Sequence, residues 1–225
     1  MSKPSIIIAS ISRKVITALA GLFLITFLGI HLIANLMMIK PDDGATFNEV
    51  VHFLSTNPLI KIMEIVLFAG FIIHILLAVF VTILNWMTRP VGYLVPTKSH
   101  TNFMSKYMFH TGVIILIFLV LHLWHFFAIK LGWAPMNPQF MKNEQDFYPL
   151  AVHLFQQPLF SVFYIVSFVF LGFHLNHALQ SGFQTLGLSH NKYTPAVKVF
   201  STIYSLVIAV GFTIIPLFFL FIYKA

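Results

Sequence analysis

Five apolar segments, each long enough to cross a bilayer, constrain what this chain can fold into. A membrane-spanning helix needs roughly 20 mostly apolar residues, and charged residues make up only 8% of the 225-residue chain, too few to cover a water-soluble domain of that size. We therefore predict an all-α integral membrane protein in which residues 1–225 form one domain, a five-helix transmembrane bundle. The predicted spans are residues 12–39, 58–85, 103–131, 158–181 and 195–223, with a short amphipathic turn at 47–54.

Basic residues are distributed unequally between the two ends of the predicted bundle. With five spans, the N-terminus and the second and fourth connections share one side, here called the basic side, which carries no acidic residue. Its basic residues are Lys3, Arg13, Lys14, Arg89, Lys98, Lys106, Lys192 and Lys198. The other side, here called the acidic side, carries Lys40, Lys61, Lys130, Lys142, Lys224, Asp42, Asp43, Glu49, Glu64, Glu144 and Asp146. The positive-inside rule predicts a cytoplasmic N-terminus. The basic side could bind anionic lipid headgroups or an acidic soluble partner, and charge alone favours lipid.

Histidine is unusually frequent, with 11 residues against 6 acidic ones, and there is no cysteine. The absence of cysteine excludes disulfides, thiolate clusters and the covalent attachment of c-type haem. Four histidines fall in loops or at helix ends and are interpreted as solvated: His52, His100, His153 and His190. Seven fall inside predicted spans, where an ionisable group is costly and needs a partner: His31, His74, His110, His122, His125, His174 and His177. Because four different spans each carry at least one, we favour ligands over isolated structural hydrogen bonds.

Depth divides these histidines into two pairs. His31 and His122 lie roughly 12 and 14 Å from the acidic-side ends of their helices, at about 1.5 Å per residue. His74 and His174 lie roughly 17 and 11 Å from the basic-side ends of theirs. Paired imidazoles without neighbouring carboxylates do not suit a tetrahedral zinc site. They suit two b-type haems, each ligated from two sides within a helical bundle.

Each of two candidate ligands has a rival three residues further along its helix. His125 follows His122, and His177 follows His174. A spacing of three keeps both members of such a couple on similar helix faces. Spacing alone therefore does not choose between them.

Motifs along nearly the whole chain resemble those of one protein family. They are "SRKVITALAGLFLITFLGIHLIANL", "FNEVVHFLSTNPLIKIMEI", "IHILLA", "LHLWHFF" and "GFHLNHALQSGFQTLGLS". In their order and spacing they resemble the membrane-anchor cytochrome b subunit of succinate:quinone oxidoreductases (succinate dehydrogenase and fumarate reductase), in its single-subunit, five-helix, dihaem form. The resemblance implies two haem b groups whose axial ligands are His31 with His122 (distal haem) and His74 with His174 (proximal haem). It leaves His110, His125 and His177 as structural residues or propionate neighbours.

The resemblance also implies where the chain works and with which partners. Members of the family lie in the bacterial cytoplasmic membrane beside a flavoprotein and an iron–sulfur subunit on the cytoplasmic face. That docking would use the basic side, which reverses the preference for lipid drawn from charge alone. The dicarboxylate chemistry then belongs to the partner subunits, and this chain carries electrons to or from a membrane quinone, expected to be menaquinone. No nucleic-acid partner is expected.

Glu64 is the one acidic residue predicted inside a span. On spacing alone it is an interfacial acid paired with Lys61, three residues earlier. Quinone reduction consumes two protons, and the resemblance implies that Glu64 is a proton relay beside the distal quinone site. Some members carry a glutamate two residues before the fourth axial ligand, linked to transmembrane proton movement, and this chain has Gly172 there. Candidate donors to the haem propionates, or to lipid headgroups instead, are Arg13, Lys14, Lys98 and Lys106.

Two other functions are compatible with histidines in membrane spans. The first is the haem b subunit of a hydrogenase or formate dehydrogenase, whose electron donor lies outside the membrane. The acidic outer loops and basic inner face predicted here disfavour it, and co-purification with a flavoprotein decides the question. The second is a transporter with a histidine proton relay, which would be colourless and is typically built from repeats or broken helices. The sequence shows neither repeats nor broken helices.

Overall fold

The computed structural model describes the backbone of residues 4–87 and 107–223, with side chains from residue 11 onward. All regular structure in these ranges is helical, and five helices are long and apolar enough to cross a membrane, which confirms the predicted number of spans. They cover Ile11–Ile39, Pro58–Met87, Met108–Lys130, Pro158–Thr185 and Thr194–Ile222. The expected start of the third span at residue 103 lies outside the described residues, as do Lys3, Arg89, Lys98, His100, Lys106 and Lys224.

Seven helices are numbered here in chain order. They are α1 (Pro4–Leu36, followed by a 3-10 turn at Met37–Ile39), α2 (Ala45–Thr56), α3 (Pro58–Met87), α4 (Met108–Lys130), α5 (Phe147–Phe155), α6 (Pro158–Thr185) and α7 (Thr194–Leu217, followed by a π turn at Phe218–Ile222). Helix α4 is not uniform, because Leu123–Phe127 forms a π turn in its last third. Helix α4 ends near Gly132, whose φ of 71° suits a glycine after a helix C-terminus.

Four features differ from the sequence-based expectations. Helix α1 begins at Pro4, eight residues before the expected residue 12. The turn expected at 47–54 is the middle of a 12-residue helix, α2. Helix α5, in the connection between the third and fourth spans, was not predicted. Helix α6 continues to Thr185 instead of ending at 181. Gly182 lies within it, and a Cβ atom there would lie 3.5 Å from Cδ2 of Leu22 on α1.

Helices α6 and α7 pack closely because small residues line their contact. A Cβ atom on Gly172 would lie 2.9 Å from the Cβ atom of Ala209, so that position has no room for any side chain. Buried serines accompany this contact, and each hydroxyl donates to a backbone carbonyl, which leaves no unpaired hydroxyl in the apolar interior. They are Ser161, Ser167, Ser201 and Ser205.

The four helices that carry the candidate ligands form a ring. Helix α1 packs against α3 and α6, and α6 packs against α4. Helices α3 and α4 meet through long side chains, with ring centroids 4.7 Å apart for Phe68 and Phe127 and 5.2 Å apart for Trp86 and Phe109. The order around this four-helix ring is therefore α1, α3, α4, α6, with α7 packed outside against α1 and α6. Helices α1 and α4 are diagonal to each other, and so are α3 and α6.

Candidate functional site: two pairs of histidines inside the helix ring

One diagonal of the ring brings His31 of α1 against His122 of α4. Their ring centroids are 5.9 Å apart and the ring planes are nearly perpendicular, at 80°. Phe27 stacks on the ring of His31, and Phe118 stacks on the ring of His122. A polar group also lies beside the ring of His31, the amide of Asn35, which donates to the His31 carbonyl at 2.7 Å and lies 3.3 Å from Nδ1 of the ring. The aromatic neighbours otherwise keep the two imidazoles in apolar surroundings.

The spacing and chemistry of this pair fit axial ligation of a haem iron. Two imidazoles that hold one metal ion from opposite sides, with metal–nitrogen distances of about 2.0–2.1 Å, place their ring centroids roughly 6 Å apart. The Nδ1 atom of His122 is buried and has no hydrogen-bond partner among the described residues. Such an atom is costly unless a bound group satisfies it, and histidine is a common axial ligand of haem.

On the second diagonal lie His74 of α3 and His174 of α6, each held by a contact with a neighbouring helix. The Nδ1 atom of His74 lies 3.4 Å from the carbonyl oxygen of Thr17 on α1. A carbonyl only accepts hydrogen bonds, so Nδ1 carries the proton and Nε2 keeps its lone pair. Gly21 makes room for this ring, because a Cβ atom there would lie 3.2 Å from Cε1 of His74.

His174 is held in a similar way from α4. Its Nδ1 atom lies 3.2 Å from the hydroxyl oxygen of Thr111, and a Cβ atom on Gly112 would lie 3.5 Å from its Cε1 atom. Each imidazole at this level is therefore fixed through Nδ1 by a neighbouring helix. Metal-ligating histidines are typically oriented through the nitrogen that does not bind the metal.

The two levels are well separated along the ring. On α1, Thr17 marks the level of His74, and His31 lies 14 residues further on, which is about 21 Å of helix. On α4, Thr111 marks the level of His174, and His122 lies 11 residues further on, which is about 16 Å. The structure thus places His31 against His122 at one depth and places His74 and His174 at the other, nearer the basic side.

The three remaining histidines of the predicted spans are His125, His177 and His110, and their surroundings differ from those of the four candidate ligands. The Nδ1 atom of His125 lies 3.4 Å from the hydroxyl of Tyr164, a side chain on α6 that is only 1% exposed. His125 lies within the π turn that follows His122, and its ring contacts Tyr164 and Phe160 of α6. The ring of His122 also contacts Tyr164, but it lies against His31 as well. His177 is partly buried beside His174. His110 is exposed near the start of α4.

The expected pairing of Glu64 with Lys61 is wrong. The carboxylate of Glu64 accepts a hydrogen bond from the Lys130 ammonium at 2.6 Å, whereas the side chain of Lys61 is exposed. The acidic-side ends of α3 and α4 meet, so a residue 66 positions away in sequence is nearer than one a helical turn away. About a third of each side chain of the pair is exposed.

Of the candidate propionate donors, the described part of the chain contains Arg13 and Lys14. The Arg13 guanidinium lies over the ring of Phe80, 5.2 Å from its centroid, at the basic side of the α1–α3 contact. Three groups near the site were not identified from the sequence: the Thr17 carbonyl, the Thr111 hydroxyl and the Tyr164 hydroxyl. No sequence spacing relates them to the histidines, because each contact joins two different helices.

Comparison of the chain with protein-family models, curated proteins and solved structures gave no match. Any functional assignment therefore depends on the residues and the geometry described above.

Proposed function

We propose that this chain is the dihaem cytochrome b membrane anchor of a succinate:quinone oxidoreductase. The observation that carries the proposal is the position of four imidazoles, one on each helix of the ring. His31 and His122 are in ring contact at one depth, and His74 and His174 lie on the other diagonal, nearer the basic side. The family resemblance in the sequence motifs supplies the particular complex. In this proposal the chain lies in a bacterial cytoplasmic membrane with its N-terminus in the cytoplasm.

The four histidines would hold the two cofactors. His31 and His122 would ligate the distal haem, and His74 and His174 the proximal haem, nearer the basic side. The chemistry that bound haem would supply is one-electron transfer between the iron–sulfur subunit and the quinone. The Thr17 carbonyl and the Thr111 hydroxyl hold the proximal imidazoles in the tautomer that offers Nε2. The phenylalanines around His31 and His122 exclude water from the distal level.

Quinone chemistry takes place at the acidic side, beside the distal level. Glu64 supplies or accepts the proton that accompanies electron transfer to a membrane quinone, menaquinone in this proposal. Lys130 holds the carboxylate of Glu64 at the junction of α3 and α4. Proton transfer of this kind needs a group within hydrogen-bond reach of the substrate.

The basic side docks the iron–sulfur and flavoprotein subunits and contacts anionic lipid. Its basic residues within the described part of the chain are Arg13, Lys14, Lys192 and Lys198.

The test is purification of the tagged chain from its native membranes in mild detergent. The proposal expects a flavoprotein and an iron–sulfur protein to co-purify, together with haem b and succinate-dependent reduction of a menaquinone analogue. Co-purification of a hydrogenase or formate dehydrogenase instead would assign the chain to that class of complex. A preparation without haem would contradict both assignments and favour a transporter.

A further inference from the structure

Thr111 makes a contact that its place in an apolar helix does not require. It lies in the first turns of α4, and its hydroxyl is near two groups, the carbonyl oxygen of Met108 at 2.9 Å and the Nδ1 atom of His174 at 3.2 Å. A threonine inside a helix usually satisfies its hydroxyl on a preceding carbonyl of the same helix alone. The second contact links α4 to the imidazole on α6.

The direction of the two hydrogen bonds follows from what each group can do. The Met108 carbonyl only accepts, and it is the nearer partner, so it takes the single hydroxyl proton of Thr111. The lone pairs of the Thr111 oxygen then face His174, whose Nδ1 must donate. This arrangement leaves Nε2 of His174 unprotonated and able to bind a metal ion.

We infer that Thr111 is a positioning residue for His174. Its hydroxyl selects the tautomer of the His174 imidazole and raises the basicity of the imidazole's metal-binding nitrogen. This inference rests on the proposed function, since it concerns a haem ligand. A hydrogen bond donated by Nδ1 increases electron density at Nε2, and a more basic axial ligand stabilises ferric over ferrous iron. Removal of the acceptor should therefore make the proximal haem easier to reduce.

The experiment compares four purified complexes: the wild type, Thr111→Val, Thr111→Ser and a control, Thr82→Val. Valine matches threonine in shape and lacks the hydroxyl, whereas serine restores it. Thr82 is a suitable control because it is a partly buried threonine on α3 whose hydroxyl donates to the Ala78 carbonyl at 2.8 Å. Haem per polypeptide, potentiometric titration of each haem and the low-spin ferric resonance spectrum are measured.

In Thr111→Val we expect two haems, one of which shifts to a more positive midpoint potential. At the midpoint potential of the wild type, the ratio of reduced to oxidised proximal haem should rise roughly 2- to 10-fold. This is the change in an equilibrium constant that corresponds to the net free energy of one hydrogen bond. The shifted component should be the one that is missing from His174→Ala, and its ferric resonance should change with it. Thr111→Ser and Thr82→Val should keep both wild-type potentials. Loss of the proximal haem from Thr111→Val alone, with serine retaining it, would also support the inference.

Two results would overturn the inference while the proposed function stands. The first is a Thr111→Val complex with two haems at wild-type potentials. The second is the same change in Thr111→Ser as in Thr111→Val, because serine retains the hydroxyl and the change would then not follow from loss of the hydrogen-bond acceptor. A wild-type complex that lacks haem would instead overturn the proposed function, and this inference with it.

Discussion

The Glu64–Lys130 ion pair joins the acidic-side ends of α3 and α4, so we expect Lys130→Met to destabilise the bundle there. At the 2.6 Å separation of the charged atoms, the direct attraction is about 1.6 kcal/mol in water and about 6 kcal/mol at an effective dielectric constant of about 20. Desolvation offsets much of that attraction. A fully exposed pair contributes about 0.2–1 kcal/mol, and breaking a fully buried one costs about 3–5 kcal/mol. With about a third of each side chain exposed, this substitution should cost about 1–3 kcal/mol.

The assay is a double-mutant cycle on the purified protein in detergent, with Glu64→Gln, Lys130→Met and the double variant. Unfolding by a denaturing detergent is followed through the helical circular dichroism signal. We expect a coupling energy of about 1–2 kcal/mol between the two positions. The matched control is Lys61→Met, which removes an exposed lysine one turn from Glu64 and should change stability by less than about 0.5 kcal/mol. A coupling energy near zero between Glu64 and Lys130, or a loss of stability in Lys61→Met as large as that in Lys130→Met, would refute the reasoning.

Three further predictions concern single side chains. Glu64→Gln should retain both haems yet lower turnover of a menaquinone analogue by about 10²- to 10⁴-fold, and normal turnover would exclude the proton role. Tyr204→Phe removes a hydroxyl of α7 that donates to a carbonyl of α1 at 2.6 Å, and detergent unfolding should show a loss of about 0.6–1.7 kcal/mol. A hydrogen bond from the Thr46 hydroxyl lowers the pKa of Asp42, so the carboxylate stabilises the fold above its unfolded-state pKa and this contribution disappears as the pH falls. The difference in unfolding temperature between wild type and Asp42→Asn should therefore shrink below about pH 4.

The sequence was sufficient for the number and position of the spans, because a bilayer demands long apolar helices whatever their packing. The helix end predicted from the sequence was wrong where a residue type that often stops helices lies inside a packed helix. Glycine is a common helix stop, yet Gly182 lies inside α6, next to Leu22 of α1. The helix ends at Thr185, and Gly187, with a φ of 86°, follows that end. Helix α5 escaped prediction because it is only nine residues long and lies in a connection whose hydropathy gives no spanning signal.

The sequence predicted some parts of the site and not others, because the spacing of residues along a helix gives their depth and not the rotation of that helix against its neighbours. Residue counts give depth along a helix, which is why His31 and His122 could be matched from the sequence. Counts do not give the rotation of one helix against another, which determines that Glu64 meets Lys130 and that His174 meets Thr111. The π turn after His122, which contains His125, has no recognisable sequence signal, although such turns are frequent at functional sites.

The most direct test of the two-level arrangement is the haem content of the purified protein, measured by a reduced-minus-oxidised optical spectrum and a haem-to-polypeptide ratio. The wild type is expected to hold two low-spin b haems per chain. His31→Ala and His122→Ala should each lose the same one, and His74→Ala and His174→Ala should each lose the other. A wild-type preparation that was supplied with haem during expression yet shows no Soret absorbance would contradict the account, as would variants at the two levels that lose the same haem.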